Sequence, residues 1–264
     1  MKKDFPVLAR YLARYLTRYL MTESKSISIG SDPIDKALLG GLPLGSLTLI
    51  EGPSRTGKSV ICEHYAFGAL LAEFGVAYYV GGMTEEDLLA QMNSLYLEVD
   101  TFIGEGQLLI YSLTDFFDKK TEADDGLQRL HDHMAELPWD IDIIVIDSLT
   151  DMVNQAGQTE SFNFFLTCKE LCGWNKTMLM ALHTSALDPD LLVRLDRLFD
   201  THLVLRLEAL SQGTQVKTMH VLDIAKVKNA NLSSKTSIYF EVDPELGRSM
   251  NMSLKVLPFF KIRT

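Results

Sequence analysis

The first residues with the chemistry to bind a ligand lie between positions 52 and 59. They fit the phosphate-binding pattern GxxxxGK[ST], or P-loop: Gly52, Pro53, Ser54, Arg55, Thr56, Gly57, Lys58 and Ser59. The glycines let backbone N–H groups curl around a phosphate at the N-terminus of a helix, whose dipole favours anions. Lys58 is expected to hold the β- and γ-phosphates of ATP, and the Ser59 hydroxyl to ligate Mg²⁺. The sequence therefore predicts a site for ATP and Mg²⁺.

A carboxylate suited to the same metal ion lies further along the chain. Asp147 follows the apolar run at residues 143–146, so its side chain is expected at the carboxyl edge of a sheet, where ligands of open α/β sheets bind. There it would orient the Mg²⁺ shell together with Ser59. His183 ends another apolar run, at residues 178–182. It either contacts a γ-phosphate at that edge or is a neutral core or capping histidine.

Hydrolysis of ATP needs a base that positions water, commonly a glutamate at the end of the strand beside the P-loop strand. Gly81 and Gly82 hold that place. Glu85 and Glu86 follow a few residues later, where they either act as the catalytic base or serve as acidic residues of a first helical turn. The pattern predicts that hydrolysis is weak or absent.

The elements that position these residues are predicted from hydrophobic runs and their period. Predicted strands cover residues 47–51, 76–80, 107–113, 142–147 and 177–183, and predicted helices cover residues 58–74, 84–97, 122–137 and 160–172. This alternation indicates an α/β fold with a mostly parallel sheet flanked by helices. Four further strands, at residues 203–210, 216–227, 236–242 and 250–256, predict an antiparallel C-terminal extension.

Composition narrows the class of protein. The 264 residues are 47% hydrophobic and carry 25 basic against 35 acidic side chains, a net charge of −10. This charge disfavours a protein that gains affinity by neutralising nucleic-acid phosphates. The chain has an odd number of cysteines, Cys62, Cys168 and Cys172, which is typical of a protein from a reducing compartment. We expect their thiols to be buried and inert. No repeat or long linker divides the chain, so one ATP-binding domain is expected over residues 23–264.

The first 22 residues are predicted to form a separate segment. Arg-Tyr-Leu recurs at positions 10–12, 14–16 and 18–20, a spacing that stacks like residues along one side of a helix. The apolar run is too short for a membrane span, and no cleavage site indicates a signal peptide. The segment is interpreted as an amphipathic helix that docks a partner or another copy, or one that contacts an anionic membrane surface through residues 1–20. A third interpretation takes Met21 as the natural start.

From about residue 27 to its end, the chain resembles the KaiC-like ATPases of the RecA superfamily, and most closely the ArlH (FlaH) proteins of the archaellum, the archaeal motility organelle. The resemblance is carried by the P-loop and by residues 40–46, 87–95, 146–150, 225–228 and 240–244. It implies a RecA-like P-loop fold. In KaiC-like rings, a Lys-x-Arg on the strand matching residues 225–228 reaches the γ-phosphate held by the neighbouring subunit.

By this resemblance, Lys226 and Lys228 are trans-acting phosphate sensors, although Lys228 stands where the family has arginine. The alternative is that both are exposed strand lysines. The resemblance further implies a homo-oligomer, a hexameric ring whose assembly ATP switches. It places this ring in the cytoplasm at the base of a membrane motor, in contact with the motor ATPase and membrane-anchored scaffold proteins.

Two other functions share the same core. A KaiC-like signalling ATPase outside motility would have the same site and different neighbours. A DNA-recombination paralogue would touch DNA through the loops after Asp147 and His183, which demands lysine or arginine there. No basic residue occurs between positions 141 and 168, so nucleic acid is not an expected partner.

Overall fold

The computed structural model describes residues 26–116, 125–186, 188–212, 215–228, 236–243 and 254–257. Three predicted features lie wholly or partly outside these ranges. They are the N-terminal segment at residues 1–22, the start of a helix at residues 122–124 and the start of a strand at residues 250–253. The division into an N-terminal segment and one ATP-binding domain therefore stays a prediction.

The described strands form a two-stranded antiparallel sheet and a nine-stranded sheet. The small sheet pairs β1 (Ser26–Ile27) with β2 (Leu42–Pro43). The sheet strands are β3 (Leu47–Glu51), β4 (Gly75–Val80), β5 (Leu108–Ser112), β6 (Ile141–Asp147), β7 (Thr177–Leu182), β8 (Thr201–Gln212), β9 (Gln215–Lys226), β10 (Thr236–Val242) and β11 (Leu254–Val256). Their order across the sheet is β11-β10-β9-β8-β3-β7-β6-β4-β5.

Two kinds of strand pairing meet at β8. The strands from β5 across to β8 pair in parallel, whereas β9, β10 and β11 pair antiparallel. Every residue of β3, β4 and β7 is buried, as expected for parallel strands that are covered on both faces. The predicted α/β class, with its antiparallel C-terminal extension, is confirmed.

Helices cover both faces of the parallel part. They are α1 (Asp32–Ala37), α2 (Lys58–Leu71), α3 (Glu85–Ser94), α4 (Asp100–Gly104), α5 (Asp125–Ala135), α6 (Thr150–Gln155), α7 (Gln158–Gly173) and α8 (Pro189–Leu195). One hydrophobic core packs α2 and α3 against the sheet, and a second packs α5 and α7 against the opposite face. Among the described residues, no helix is long and apolar enough to cross a bilayer.

The helix ends differ from the predicted ones for local reasons. The predicted helix 58–74 ends at Leu71, because Glu73 adopts a left-handed φ of 62° and the Phe74 N–H turns back to the Ala69 carbonyl. The predicted helix 84–97 ends at Ser94 in the same way, since the backbone two residues on is also left-handed. The short helices α1, α4, α6 and α8 were not predicted, because so few residues show no clear apolar period.

The position of α2 is fixed from both sides. One side packs on the nine-stranded sheet, and the β1–β2 pair with the residues after β1 covers the other, where a Cβ on Gly68 would run into the Ser28 carbonyl oxygen. This double contact explains why an unusually apolar helix follows the P-loop. It also holds the N-terminus of α2 at one edge of the sheet. We call this edge, where the parallel strands end, the carboxyl edge, and the opposite one the amino edge.

Candidate functional site

The P-loop spans the gap between β3, which ends at Glu51, and α2, which begins at Lys58. Two residues in the loop have positive φ, Arg55 at 65° and Gly57 at 94°. Gly52 has no room for a side chain, because a Cβ there would run into the Leu205 carbonyl oxygen of β8. The loop is therefore held in a tight curve at the carboxyl edge, with the N-terminus of a 14-residue helix behind it.

Lys58 folds back over its own loop. Its Nζ donates to the carbonyl oxygens of Gly52 and Pro53, each at 2.8 Å, and the Thr56 hydroxyl also donates to Pro53. Burial lowers the pKa of Lys58, while the negative charge of Asp147 opposes this shift. The Lys58 ammonium group thus donates to two carbonyl oxygens of the loop, and the phosphate oxygens of a ligand would take their place. This arrangement fits an anionic ligand.

The structure brings Ser59 and Asp147 together. The Ser59 side chain hydrogen-bonds to the Asp147 carboxyl group, which ends β6 and is only 4% exposed. Burial raises the pKa of Asp147, against the lowering effects of the hydrogen bonds from Ser59 and Tyr78 and of the Lys58 charge. A hydroxyl and a carboxylate at the edge of the P-loop are hard oxygen donors of the kind that Mg²⁺ accepts. The residues present thus fit a nucleotide-bound Mg²⁺.

His183 lies at the same edge, directly after β7. The neighbouring Thr184 N–H reaches the Gly52 carbonyl at 3.4 Å, so this segment runs beside the P-loop. The half-buried His183 ring lies 2.8 Å from the Ser185 hydroxyl, and its backbone N–H donates to the Thr150 hydroxyl. The structure therefore places His183 by the loop and gives it a local partner, and contact with phosphate stays a prediction.

Glu85 and Glu86 are exposed in the first turn of α3. Thr84 caps that helix, and the Asp87 side chain completes a reciprocal capping box with it. The carboxylates of Glu85 and Glu86 interact favourably with the helix dipole at this N-terminus, which explains both residues without a catalytic role. Their assignment as a base stays a prediction.

Gly81 and Gly82 follow β4, which was expected to lie beside the P-loop strand. That expectation is wrong, because β7 and β6 separate β4 from β3, and the neighbour of β4 is β6, the strand that ends at Asp147. The Gly81 N–H donates to the Asp147 carbonyl at 2.7 Å, and a Cβ on Gly81 would lie 2.8 Å from the Ser148 carbonyl oxygen. A side chain at this position requires the backbone to move. Gly82 has open space around it but a φ of 78°, which L-residues rarely adopt.

Lys226 and Lys228 lie at the amino edge, away from the P-loop of their own chain. Lys226 ends β9, and its Nζ donates to the Asp196 carbonyl oxygen at 2.6 Å. Lys228 Nζ donates to the Gly45 carbonyl oxygen at 2.8 Å, just before β3 begins. The structure thus does not join these lysines to the other predicted site residues of the same chain.

Buried residues near the site were not singled out from the sequence. The Tyr78 hydroxyl donates to Asp147 Oδ2 at 3.2 Å, and Gln91 Nε2 donates to Glu63 Oε1 at 2.6 Å. Tyr78 reads as an ordinary core residue of an apolar strand. Glu63 could have been noticed, because it places a carboxyl group inside the apolar helix α2.

The antiparallel extension also contacts the P-loop. His220 Nδ1, on β9, lies 3.1 Å from the Thr56 carbonyl oxygen, and its ring stacks on Phe240 of β10. A Cβ on Gly57 would touch both rings at ordinary contact distances. The outer side of the loop is therefore packed against two strands that lie far along the chain.

Comparisons with known proteins support this geometry. A family model described as "ATPase: KaiC" matches residues 27–246. The chain is 27% identical to the archaeal flagellar ATP-binding protein FlaH of Methanocaldococcus jannaschii over 232 residues, which cover 88% of this chain and 97% of that protein. It is 28% identical over 235 residues to FlaH of Sulfolobus acidocaldarius, covering 88% of this chain and 96% of that protein.

A solved structure shares the fold of this chain. The crystal structure of the flagellar accessory protein FlaH from Methanocaldococcus jannaschii superposes with a TM-score of 0.72 at 24% identity, covering 89% of this chain and 99% of that one. The expected resemblance to KaiC-like proteins, and to FlaH among them, is confirmed. Because the family model spans most of the chain, including the P-loop and Asp147, this protein belongs to the KaiC family of ATPases.

Proposed function

We propose that this chain is an ATP-binding component of the archaellum motor, in which Mg²⁺ and ATP switch the assembly of a homo-oligomeric ring and hydrolysis is slow or absent. ATP binding is supported by the curved P-loop, the position of Lys58 and the contact between Ser59 and Asp147. The archaellum role is supported by the similarity to two FlaH proteins over nearly their whole length.

The observation that carries the switch is the end of β4. Gly81 packs so closely against the Ser148 carbonyl that a side chain does not fit, and Gly82 has a backbone conformation that disfavours a glutamate. The end of β4, which lies beside the strand of Asp147, therefore offers no carboxylate of its own to activate water. Bound ATP would persist, and persistence suits a ligand that holds an assembly together.

The positions of Lys226 and Lys228 support a ring. In a head-to-tail assembly, the amino edge of one subunit faces the carboxyl edge of the next, so lysines at the first edge meet phosphates at the second. Each lysine donates to a backbone carbonyl of its own chain and would exchange it for a phosphate oxygen. We propose that six subunits close the ring, and that Mg²⁺ is held by Ser59 and Asp147.

The proposed setting is the cytoplasmic base of the motor. There the ring would contact the motor ATPase and membrane-anchored scaffold proteins, with residues 1–20 available for peripheral membrane contact. Nucleic acid is not a proposed partner, given the net charge of −10.

Light scattering with and without Mg²⁺ and ATP tests the switch. The mass of wild type is expected to increase when both are added. Lys58→Ala is expected to keep its starting mass, because the phosphates of ATP lose the lysine ammonium group that binds them. Lys36→Ala, which alters an exposed lysine on α1, is the control and should assemble as wild type does. Equal assembly of Lys58→Ala and wild type would show that ATP does not drive the ring.

Phosphate release measured on the same samples addresses hydrolysis. Turnover is expected to be slow in wild type and unchanged in Glu85→Gln and Glu86→Gln, because both side chains are exposed capping acids. Rapid turnover that either substitution abolishes would assign that residue as the base.

A further inference from the structure

Tyr78 lies one strand away from the residue that is proposed to help hold Mg²⁺. In the parallel pairing of β4 with β6, Tyr78 is opposite Val145 and Val80 is opposite Asp147. Side chains two residues apart on a strand share a face, so Tyr78 and Asp147 project to the same side of the sheet, beneath α2. Tyr79, the next residue, projects to the opposite side.

The Tyr78 side chain reaches along the sheet to the Asp147 carboxyl group. Its hydroxyl donates to Asp147 Oδ2 at 3.2 Å, and the whole residue is buried. The Ser59 side chain bonds to the same carboxyl group from α2. Asp147 thus accepts hydrogen bonds from two side-chain hydroxyls, that of Tyr78 on β4 and that of Ser59 on α2.

We infer that Tyr78 is a positioning residue: its hydroxyl holds the Asp147 carboxylate in the orientation that receives Mg²⁺. This inference rests on the proposed nucleotide site. A carboxylate with two fixed donors loses most of its rotational freedom, so it meets the metal shell without reordering first. Partners behind a metal-binding carboxylate generally change metal affinity by about 10- to 100-fold when they are removed.

The next residue along provides a matched control. The Tyr79 hydroxyl also has one partner, His133 Nδ1 at 2.7 Å, on the opposite face of the sheet. Tyr78→Phe and Tyr79→Phe each remove one oxygen from a buried ring of the same strand. The two variants therefore share any general cost to packing and differ in whether Asp147 loses a donor.

The experiment titrates full-length chain with a fluorescent ATP analogue, in EDTA and across a series of Mg²⁺ concentrations. Tyr78→Phe is expected to need about 10-fold more Mg²⁺ for half-maximal tightening of nucleotide binding. Its affinity in EDTA should equal that of wild type, because the P-loop contacts do not involve Tyr78. Tyr79→Phe should match wild type in both conditions.

Three outcomes separate the two proposals. If wild type responds to Mg²⁺ and Tyr78→Phe responds identically, the positioning role is wrong and the nucleotide site stands. If Tyr78→Phe weakens binding equally with and without Mg²⁺, its role is only structural. If wild type binds no nucleotide, the proposed function itself fails.

A double variant tests the same inference through Asp147 itself. Asp147→Asn removes the charge that Tyr78 is inferred to orient, and so reduces the response to Mg²⁺. Adding Tyr78→Phe to this background is expected to cause no further loss of that response, since the hydroxyl acts through Asp147. A full additional loss would overturn the inference. Melting temperatures of every variant show that each comparison is made between folded proteins.

Discussion

Glu63 presents a carboxyl group that the folded chain keeps out of water. Its side chain is fully buried in α2, Gln91 Nε2 donates to its Oε1, and its Oε2 has no partner among the described residues. Burial, and secondly the negative charge of Asp147, raises the pKa of Glu63 from its ordinary value of 4.5 to about 9. We therefore expect Glu63 to be protonated in the folded chain at neutral pH and ionised in the unfolded chain.

Glu63→Gln keeps the size of the side chain and an acceptor for Gln91, but it has no proton to lose. In wild type, the stability that comes from the retained proton is complete below pH 4.5 and is lost as the pH rises towards 9. The limiting slope is about 1.4 kcal/mol per pH unit. Between pH 6.5 and 8.5, wild type should therefore lose about 2 to 3 kcal/mol of unfolding free energy relative to Glu63→Gln.

Urea unfolding of both proteins at pH 6.5, 7.5 and 8.5 measures this difference directly. Glu98→Gln is the control, because it alters an exposed carboxylate that stays in water when the chain folds, and its curve should run parallel to that of wild type. Parallel pH dependence of wild type and Glu63→Gln would mean that Glu63 ionises freely in the folded chain. The explanation from burial would then be wrong.

The remaining predictions concern the end of β4 and the amino edge. Gly81→Ala places a Cβ 2.8 Å from the Ser148 carbonyl oxygen and should lower the urea-unfolding free energy by about 1 to 3 kcal/mol. Gly104→Ala, which meets nothing within 4 Å, should be near neutral, and an equal loss in both would argue against the close contact. Lys226→Ala and Lys228→Ala should abolish the mass gain with Mg²⁺ and ATP while each subunit still binds the nucleotide analogue. Unchanged assembly would show that neither lysine works in trans.

The P-loop and Asp147 were predictable because their chemistry is local. Gly52 and Gly57 mark a turn that no other residue makes as easily, and Lys58 and Ser59 follow at a fixed spacing at the start of a helix. The parallel core was predictable for a similar reason, since strands covered on both faces are apolar throughout.

Contacts that depend on the order of the strands could not be predicted in the same way. Tyr78 meets Asp147 only because β4 and β6 are neighbours, although more than sixty positions separate the two residues along the chain. Lys226 lies at the amino edge only because β9 reverses direction beside β8. His220 reaches the Thr56 carbonyl through the same reversal, and nothing near position 220 in the sequence indicates that contact.

The length of β9 sets a distance that matters to an assembly. His220 on this strand touches the P-loop of its own chain, and Lys226, six residues later, stands at the opposite edge. At about 3.3 Å per residue, the two points are about 20 Å apart. Over this length β9 pairs with β8, with one register shift between Ile224 and Lys226, and β10 pairs with it from His220 to Ile224. Pairing on both sides limits bending of the strand from His220 to Ile224. In the proposed ring, each subunit binds one nucleotide at its own P-loop and contacts a second one, bound by its neighbour, through Lys226. The spacing between these two nucleotides would therefore be set by six residues of a single strand.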